Sequence, residues 1–509
     1  MISKEGASAR VASPVASANA PTICVPLGSE EEVPAARAAI RYAYTGEVAS
    51  ESIRGILEVL RQAEYLQIET CAAACMDILT SRLRQPPLKG EGDEGQQAGE
   101  STAPVLDFFL CETLWPNLEL CASFTDVIDV AKPRLIAHFG DALAALNNPR
   151  RRQQLLALPA VALEALLESD DFGTDTEDSI MLLLATWMHE NRGRTDAATR
   201  EWLCRQVRLA QLSRAYTTCI LPALAADNSA ARGADWFPIT WREAAVFGGF
   251  AGARSDVERK QLLAAAQQSL NTSSPWFTQC RRRQCVPGTG ITYSWSVSEA
   301  TLDACLQQTD EAVDFDGDVD GCDKVLFARG FQWRPNVYAA PDEEPGRVGL
   351  HLCCDLPRAY RLPGSELQHG DVVAAVLLSA RLAAYRFDAS GVAIGIQTVS
   401  FDVGDSAFEV AGGTWGVSNA LPLLEVAGGQ RELSAWAEYL HDGKMHGTLC
   451  LLPPPSSQDN ASDESDEDVE DGVDDNAAAA VADRWNGAGM GQAGGAAAMP
   501  GGWQGAFVW

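Results

Sequence analysis

Four sets of residues have types and spacings that could do chemistry. The run Asp316-Gly317-Asp318-Val319-Asp320-Gly321 matches the opening half of a calcium loop, in which alternating carboxylates converge on a hard cation. Position twelve of such a loop is Phe327 where a bidentate glutamate belongs, and position nine is Lys324, so an acidic turn is the expectation. Cys280 and Cys285 are spaced for zinc, but Cys305 and Cys322 lie too loosely to complete a tetrahedral set. His441 and His446 flank an Asp-Gly turn and read as surface residues. Ser465, followed by Asp466-Glu467-Asp468, suits an acid-directed kinase, whose phosphate would add charge to an acidic stretch. No GxSxG, HExxH, phosphate-loop or dinucleotide glycine pattern occurs in a strand-to-helix context, and six histidines leave few general bases. The expectation is a non-enzyme with no catalytic residue, metal or cofactor.

The bulk properties narrow the class further. A chain of 509 residues allows about three domains at about 150 residues each. The net charge is −30, and ten carboxylates fall between Asp459 and Asp475 without a lysine or arginine. Such a chain repels phosphate backbones, so no nucleic-acid partner is expected, and the lone triplet Arg281–Arg283 reads as a solvated loop. No run of eighteen apolar residues occurs, so no membrane span is expected. Half of the fourteen cysteines (Cys71, Cys75, Cys121, Cys204, Cys353, Cys354, Cys450) sit at apolar positions where a thiol packs as a small hydrophobe. No continuous apolar leader opens the chain, which makes the cytoplasm or nucleus the expected location.

The elements that must position these residues are set by periodicity. Residues 1–21 read as disordered and Thr22–Leu27 as a short strand. Pro34 opens a helix with Ala36, Ile40 and Tyr44 at spacing four, and Gly46 ends it. A second helix carries Ile53, Ile56, Leu57, Leu60 and Ala63 on one face, and a third carries Cys71, Cys75, Ile78 and Leu79. Residues 85–104 form a linker by composition. Helical periodicity resumes over Leu118–Leu135, Gln154–Leu167, Glu177–His189 and Trp202–Leu212. A further helical stretch, Thr240–Leu270, is split by Gly248, Gly249 and Gly252. Beyond Lys324 the period changes to two: Val348, Leu350 and Leu352 alternate with Gly349, His351 and Cys353. Residues 454–509 are acidic and then Ala/Gly-rich, a composition that predicts disorder.

Two stretches carry a resemblance. Ile40-Arg41-Tyr42-Ala43-Tyr44-Thr45-Gly46, then Ala63-Glu64-Tyr65-Leu66-Gln67-Ile68, then Cys75 and Leu79, resemble the C-terminal half of a BTB/POZ domain over about sixty residues. Leu155, Leu158-Pro159, Leu163, Leu166-Leu167-Glu168-Ser169-Asp170, Glu177, Trp187, Val207-Arg208-Leu209, Leu212-Ser213 and Tyr216 resemble the BACK domain that comes after it in that family. More loosely, Phe331-Gln332-Trp333, Val348-Gly349-Leu350, Trp415-Gly416 and Tyr439–Gly443 are similar to a TRAF/MATH-like β-sandwich and to the C-terminal domain of plant light-response BTB proteins.

These resemblances imply a multidomain α+β protein. Its parts are a disordered segment 1–21, a partial BTB helical cluster 22–84, a linker 85–104, an all-α BACK domain 105–225, a helical extension 226–290, an antiparallel β-sandwich 291–453 and a disordered tail 454–509. They also imply a substrate-recognition adaptor of a cullin-3-type E3 ubiquitin ligase, with the cullin scaffold and a protein substrate as partners. Trp333, Trp415, Tyr65 and Leu66 are the residues the resemblance points to for protein binding, although Trp333 and Trp415 equally suit a core. Nothing between Met1 and Ala20 resembles the N-terminal BTB half, which in the family supplies most of the homodimer interface and part of the cullin surface. Homodimerisation is therefore not expected. The competing expectation is a transcriptional or signalling scaffold that uses the same modules without a ligase.

Overall fold

The computed structural model describes residues 25–85, 103–230, 236–253, 255–307, 313–339, 347–361, 375–401, 407–410, 414–426 and 431–453. Ser465, the acidic run, residues 1–21 and most of the linker lie outside these described residues. Residues 25–27 carry no strand, so a strand over Thr22–Leu27 is not seen there.

Three helices come first. An acidic 3-10 turn, Glu30–Glu32, leads into α1 (Val33–Thr45). Gly46 stops α1 in the left-handed region at φ 69°, its amide donating to Tyr42 O at 2.8 Å, a conformation a side chain would strain. Ser52 caps α2 (Ile53–Tyr65) by accepting from the Gly55 amide at 3.0 Å. After a tight turn through Gln67 (φ 57°), α3 (Glu69–Arg84) packs back on α2. The α2 stripe Ile53, Ile56, Leu57, Leu60 and Ala63 is buried together with Cys71, Cys75 and Leu79 of α3, as the periodicity predicts.

The α1 stripe is different. Tyr44 is 88% exposed and Ile40 is 40% exposed; the buried face of α1 is Ala35, Ala36 and Ala39. Small side chains let α1 lie close against its neighbours, and the large ones point outward.

A dense aromatic group joins these three helices to the longer helical part of the molecule. In α4 (Pro104–Leu110) Phe108 and Phe109 are buried, and Phe108 lies 4.8 Å from Trp115 and 5.9 Å from Phe124, ring centre to ring centre. The next helix, α5 (Phe124–Phe139), begins later than the expected Leu118, and Leu120 is 86% exposed in the turn before it. Asp141 caps α6 (Ala142–Asn147) and Asn148 caps α7 (Pro149–Ala157). The expected run Gln154–Leu167 is broken, because Pro159 cannot donate to a continuing helix; α8 (Ala160–Glu168) restarts after it. At the centre lies α9 (Glu177–Asn191), buried on all sides from Glu177 to Ala185, which is what an interior helix requires.

After α10 (Ala197–Arg205), a single π-type turn, Tyr216–Ile220, precedes α11 (Leu221–Ala230). A reciprocal capping box of Thr240 and Glu243 starts α12 (Trp241–Gly252). Gly248 and Gly249 lie inside α12; the break expected of them comes after Gly252, before α13 (Asp256–Gln267).

The second part is antiparallel β. The first strand starts at Ile291, well before the change of period at Lys324. In chain order come β1 (Ile291–Ser298), helix α14 (Glu299–Leu306), β2 (Val313–Asp316), β3 (Asp318–Val319), β4 (Leu326–Ala328), β5 (Phe331–Ala339) and β6 (Arg347–Asp355). They continue with β7 (Ala375–Leu377), β8 (Ala380–Phe387), β9 (Ala393–Phe401), β10 (Ala407–Glu409), β11 (Thr414–Pro422), β12 (Leu440–His441) and β13 (Lys444–Leu451). One sheet runs β3-β1-β13-β8-β9 with β12 on β13; the other runs β11-β6-β5-β2 with β4 on β5; β7 and β10 pair separately.

Val348, Leu350 and Leu352 are fully buried, as the alternation predicts, and share one core with Trp295, Trp333, Leu382 and Phe401. Their outward neighbours are less exposed than the alternation predicts, since His351 and Cys353 are also buried. The described molecule is thus helices first and antiparallel sheets second, an α+β layout with one continuous apolar interior.

Truncating Phe124, at the joint between the first three helices and the rest, removes an aromatic side chain from a fully buried site. Phe124→Ala is expected to cost about 3–5 kcal/mol, read as a fall in melting temperature by circular dichroism.

Candidate functional site

The residues that tie the helical part to the sheets are polar and buried, and they form the most specific arrangement in the molecule. The chain leaves the helices through residues 279–287. Within it Arg282, its side chain fully buried, forms an ion pair with Glu177 at the first turn of α9, Nε to Oε2 at 3.0 Å. The same guanidinium donates to Leu167 O at 2.6 Å, Ser169 O at 2.7 Å and Gln206 O at 3.3 Å. The second oxygen of Glu177 accepts from the Arg208 amide at 2.9 Å. Backbone pairing reinforces the contact: Thr174 N donates to Arg283 O and Cys285 N donates to Thr174 O. The expectation that Arg281–Arg283 is a solvated loop fails at its middle residue, because a buried partner more than a hundred residues earlier claims it.

A second seam holds the β4–β5 turn. Arg329 (φ 53°) and Gly330 (φ 76°) form that turn, and its backbone is met by side chains of the helices. Asn147 at the end of α6 pairs with Phe327 as a strand would, donating to its carbonyl at 2.8 Å and accepting from its amide at 2.6 Å. Asp175 accepts from Arg329 N at 2.6 Å and Ser179 from Gly330 N at 3.1 Å. The Tyr216 hydroxyl donates to Gly330 O at 2.5 Å, and its ring packs edge-on against Phe331 at 5.2 Å. A Cβ on Gly330 would lie 2.3 Å from that hydroxyl, so the close approach needs glycine. Beneath the turn Asp178 is wholly buried and accepts from Ser213 N at 2.9 Å. Burial pushes its carboxyl up to about 7, against the backbone donor that stabilises its charged form.

The residues expected to bind protein are scattered by this architecture. Trp333 is fully buried; its indole donates to Ala328 O at 2.8 Å and stands edge-on to Phe408 at 4.9 Å, so it is core. Trp415, on the terminal strand β11, is 46% exposed, with Val417 also exposed. Tyr65 ends α2 half in solvent, its hydroxyl donating to Pro26 O at 2.9 Å, and Leu66 is half-buried against the helical core. Tyr65 and Leu66 therefore lie in the first helices while Trp415 lies on a sheet. In a run that alternation marks as a strand, Val392–Val403, an apolar row is exposed: Val392 just before β9, and Ile394 and Ile396 on it. Its even spacing is a signal, but alternation alone does not show which face of a strand meets solvent.

The chemistry weighed at the other candidates is taken up by the fold. Asp316 is bound to Arg334, Asp318 to Lys324 at 3.1 Å and Asp320 to Ser296 at 3.2 Å, so the three carboxylates turn to separate partners. Burial pushes the Cys75 thiol up to about 12 and raises Cys204 and Cys354 as well, which disfavours the thiolate form. Cys121 is half-buried in the turn before α5, not on a helix face. His441 stacks on Phe387 at 4.8 Å, and its carbonyl lies 3.2 Å from His446 Nε2, so the pair is half-buried.

The helices from α5 to the start of α11, with Glu177, Trp187, Arg208 and Tyr216 directed into one interior, coincide with a known family model, described as BTB And C-terminal Kelch. Residues 127–221 form a BACK domain. The BACK domain thus supplies Asn147, Asp175, Ser179 and Tyr216, the four side chains that grip the β4–β5 turn. No curated protein matches the chain. Among the described residues no helix is long and apolar enough to cross a membrane.

Two outcomes test the seam. Glu177→Gln leaves Arg282 charged and unpaired in the interior, which is expected to cost about 3–5 kcal/mol, measured by urea unfolding. Asp178 is protonated in the folded state and ionised in the unfolded chain between its ordinary value of 3.8 and about 7. Its contribution is therefore complete at acid pH and lost as pH rises through about 7. Part of the fall in melting temperature from about pH 5 to about pH 8 should then be absent in Asp178→Asn.

Proposed function

We propose that this chain is a non-catalytic adaptor that presents a bound protein to a cullin-3-type ubiquitin ligase, with the sheets holding the protein to be modified. The observation that carries the reading is the BACK domain at residues 127–221 clamped to a β unit through one buried seam. BACK domains follow BTB domains in adaptors, and the first three helices resemble the C-terminal half of such a domain.

The mechanism is positional. An adaptor raises the effective concentration of one protein near another, so its rate advantage lies in geometry and not in its own side chains. A seam with a buried ion pair and backbone-matched hydrogen bonds keeps the β unit in one orientation relative to the helices, which suits that task. The β unit, read as TRAF/MATH-like, offers Trp415 and Val417 on a terminal strand, where an extended polypeptide can lie against a sheet edge. The first helices and α5 would then face the cullin. A cytoplasmic or nuclear setting goes with this reading.

Pull-down of a cullin-3-type protein by the purified full chain is the test. Retention above a control lacking residues 25–139 supports the adaptor. A folded chain that captures no cullin, judged by an unchanged melting transition, sinks it in favour of a scaffold without a ligase.

A further inference from the structure

The sheet β3-β1-β13-β8-β9 ends at β9, and one corner of its outward face is apolar. Val399 and Phe401 of β9 point into the core, and alternation turns Ile396 and Ile394 outward, where they are 56% and 54% exposed. Ile396 pairs opposite Tyr385 of β8. Two residues on, the Phe387 ring stacks on His441 and meets His446 edge-on at 6.2 Å. Along the rest of β9 the outward positions are polar, Thr398 and Ser400. An apolar patch confined to one corner marks a surface that meets another apolar surface.

The edge of β9 gives the second, independent sign. A terminal strand presents unpaired N–H and C=O groups, which short length, charged residues or proline ordinarily blunt. Apart from a bulge at its start, β9 has none of these devices. It is nine residues long, and from Ala393 to Phe401 it holds no charge and no proline. Such an edge accepts a further strand, whose alternate side chains would lie directly beside Ile394 and Ile396.

Charge says what kind of strand. Asp388 opens the turn into β9, exposed, its carboxylate accepting from the Ser390 hydroxyl at 2.6 Å and the Val392 amide at 3.0 Å. These donors hold it below the usual carboxylate range. The β12–β13 turn adjoins this one, since a Cβ on Gly391 would lie 2.6 Å from the His441 ring. Asp442 stands exposed in that second turn, with Glu299 against its Gly443 and Lys444 just after it. Arg386 and Glu438 are paired and cancel. Three carboxylates against one ammonium leave this end of β9 with a formal charge of −2. A second copy of this chain would bring the same acidic turns and a net charge of −30 to the contact. A foreign segment that is apolar and then basic matches both features.

We propose that β9 takes an extended segment of a protein partner as an added strand, with apolar residues at alternate positions on Ile394 and Ile396 and a lysine or arginine beyond them at the Asp388 turn. This rests on the reading that the sheets hold a protein, and it names the edge and the chemistry of the bound segment.

The test is selection from a library of random short peptides on the full chain. Enrichment is expected for two apolar residues two positions apart, with a basic residue to one side. Affinity of the selected peptide should fall at least about tenfold in Ile394→Lys and in Ile396→Lys, since each removes apolar burial and adds like charge. In Asp388→Asn, which keeps an acceptor for the turn, it should fall about two- to fivefold. All three positions are exposed, so unchanged melting transitions are expected. Peptides that bind both isoleucine variants as tightly as the natural chain would overturn the proposal and leave protein binding by the sheets standing. Selection of no peptide at all would overturn both. A dimer seen by sedimentation in the natural chain and lost in Ile396→Lys would overturn it in favour of a second copy.

Discussion

A guanidinium and a carboxylate meet in the dry interior where the helices give way to the sheets, and the placing of the second half of the molecule depends on them. Arg282 and Glu177 would each cost several kcal/mol to bury alone. Together they are tolerated because no donor or lone pair is wasted: the guanidinium serves three carbonyls besides Glu177, and Glu177 also receives the Arg208 amide. The carboxylate stands at the first turn of α9, where the helix end adds favourable field. Such a pair is weak evidence for net stability, but it allows only one arrangement. The segment leading to the sheets cannot slide along the BACK helices without stranding a charge.

The β4–β5 turn shows the same principle with neutral groups. Asn147 offers an amide that mimics a neighbouring strand, so the turn at Phe327 is hydrogen-bonded as if the sheet continued into the helices. Tyr216 covers Gly330 from the start of a π-type turn, its hydroxyl donating to the glycine carbonyl. Polar contacts of this kind specify geometry, while the continuous apolar interior supplies the driving force. For a protein whose proposed role is to hold one partner in reach of another, fixed orientation between the two halves is the useful property. A freely jointed β unit would dilute the effective concentration that positioning creates.

The outward face of the second sheet departs from the usual division of an apolar inside and a solvated outside. His351 lies over Gly349 and Gly416, where a Cβ would fall 2.8 Å and 2.3 Å from its ring, so the imidazole lies close to the sheet backbone. With Asn336 opposite it and Asp355 further along the same strand, both nearly buried, this face is polar, crowded and acidic rather than washed by water. Burying that much polar surface is unfavourable unless the groups are matched, and here Arg334 matches Asp316 and Asp355 while the Asn336 amide nitrogen serves Asp314 and Asp316.

Much of the helical half was legible in the sequence, because a period of 3.6 records which residues face inward whatever they face. The α2 and α3 stripes, the break at Gly46 and the order of BACK residues from Leu155 to Tyr216 were all readable that way. So was the inward set Val348, Leu350 and Leu352, from a period of two. What sequence could not give was the identity of the partner across the gap. Three consecutive arginines among polar neighbours look solvated; only the fold brings Glu177 to the middle one.

Trp333 and Trp415 make the same point within one sheet. Trp333 pairs opposite Cys354 and Trp415 opposite Leu352, so both point to the same side. Trp333 sits on β5, flanked by strands on both edges, and is sealed; Trp415 sits on the terminal strand and remains half in solvent. Residue type and alternation were identical for the two. The order of strands, which depends on pairings between distant parts of the chain, decided which became core and which became surface.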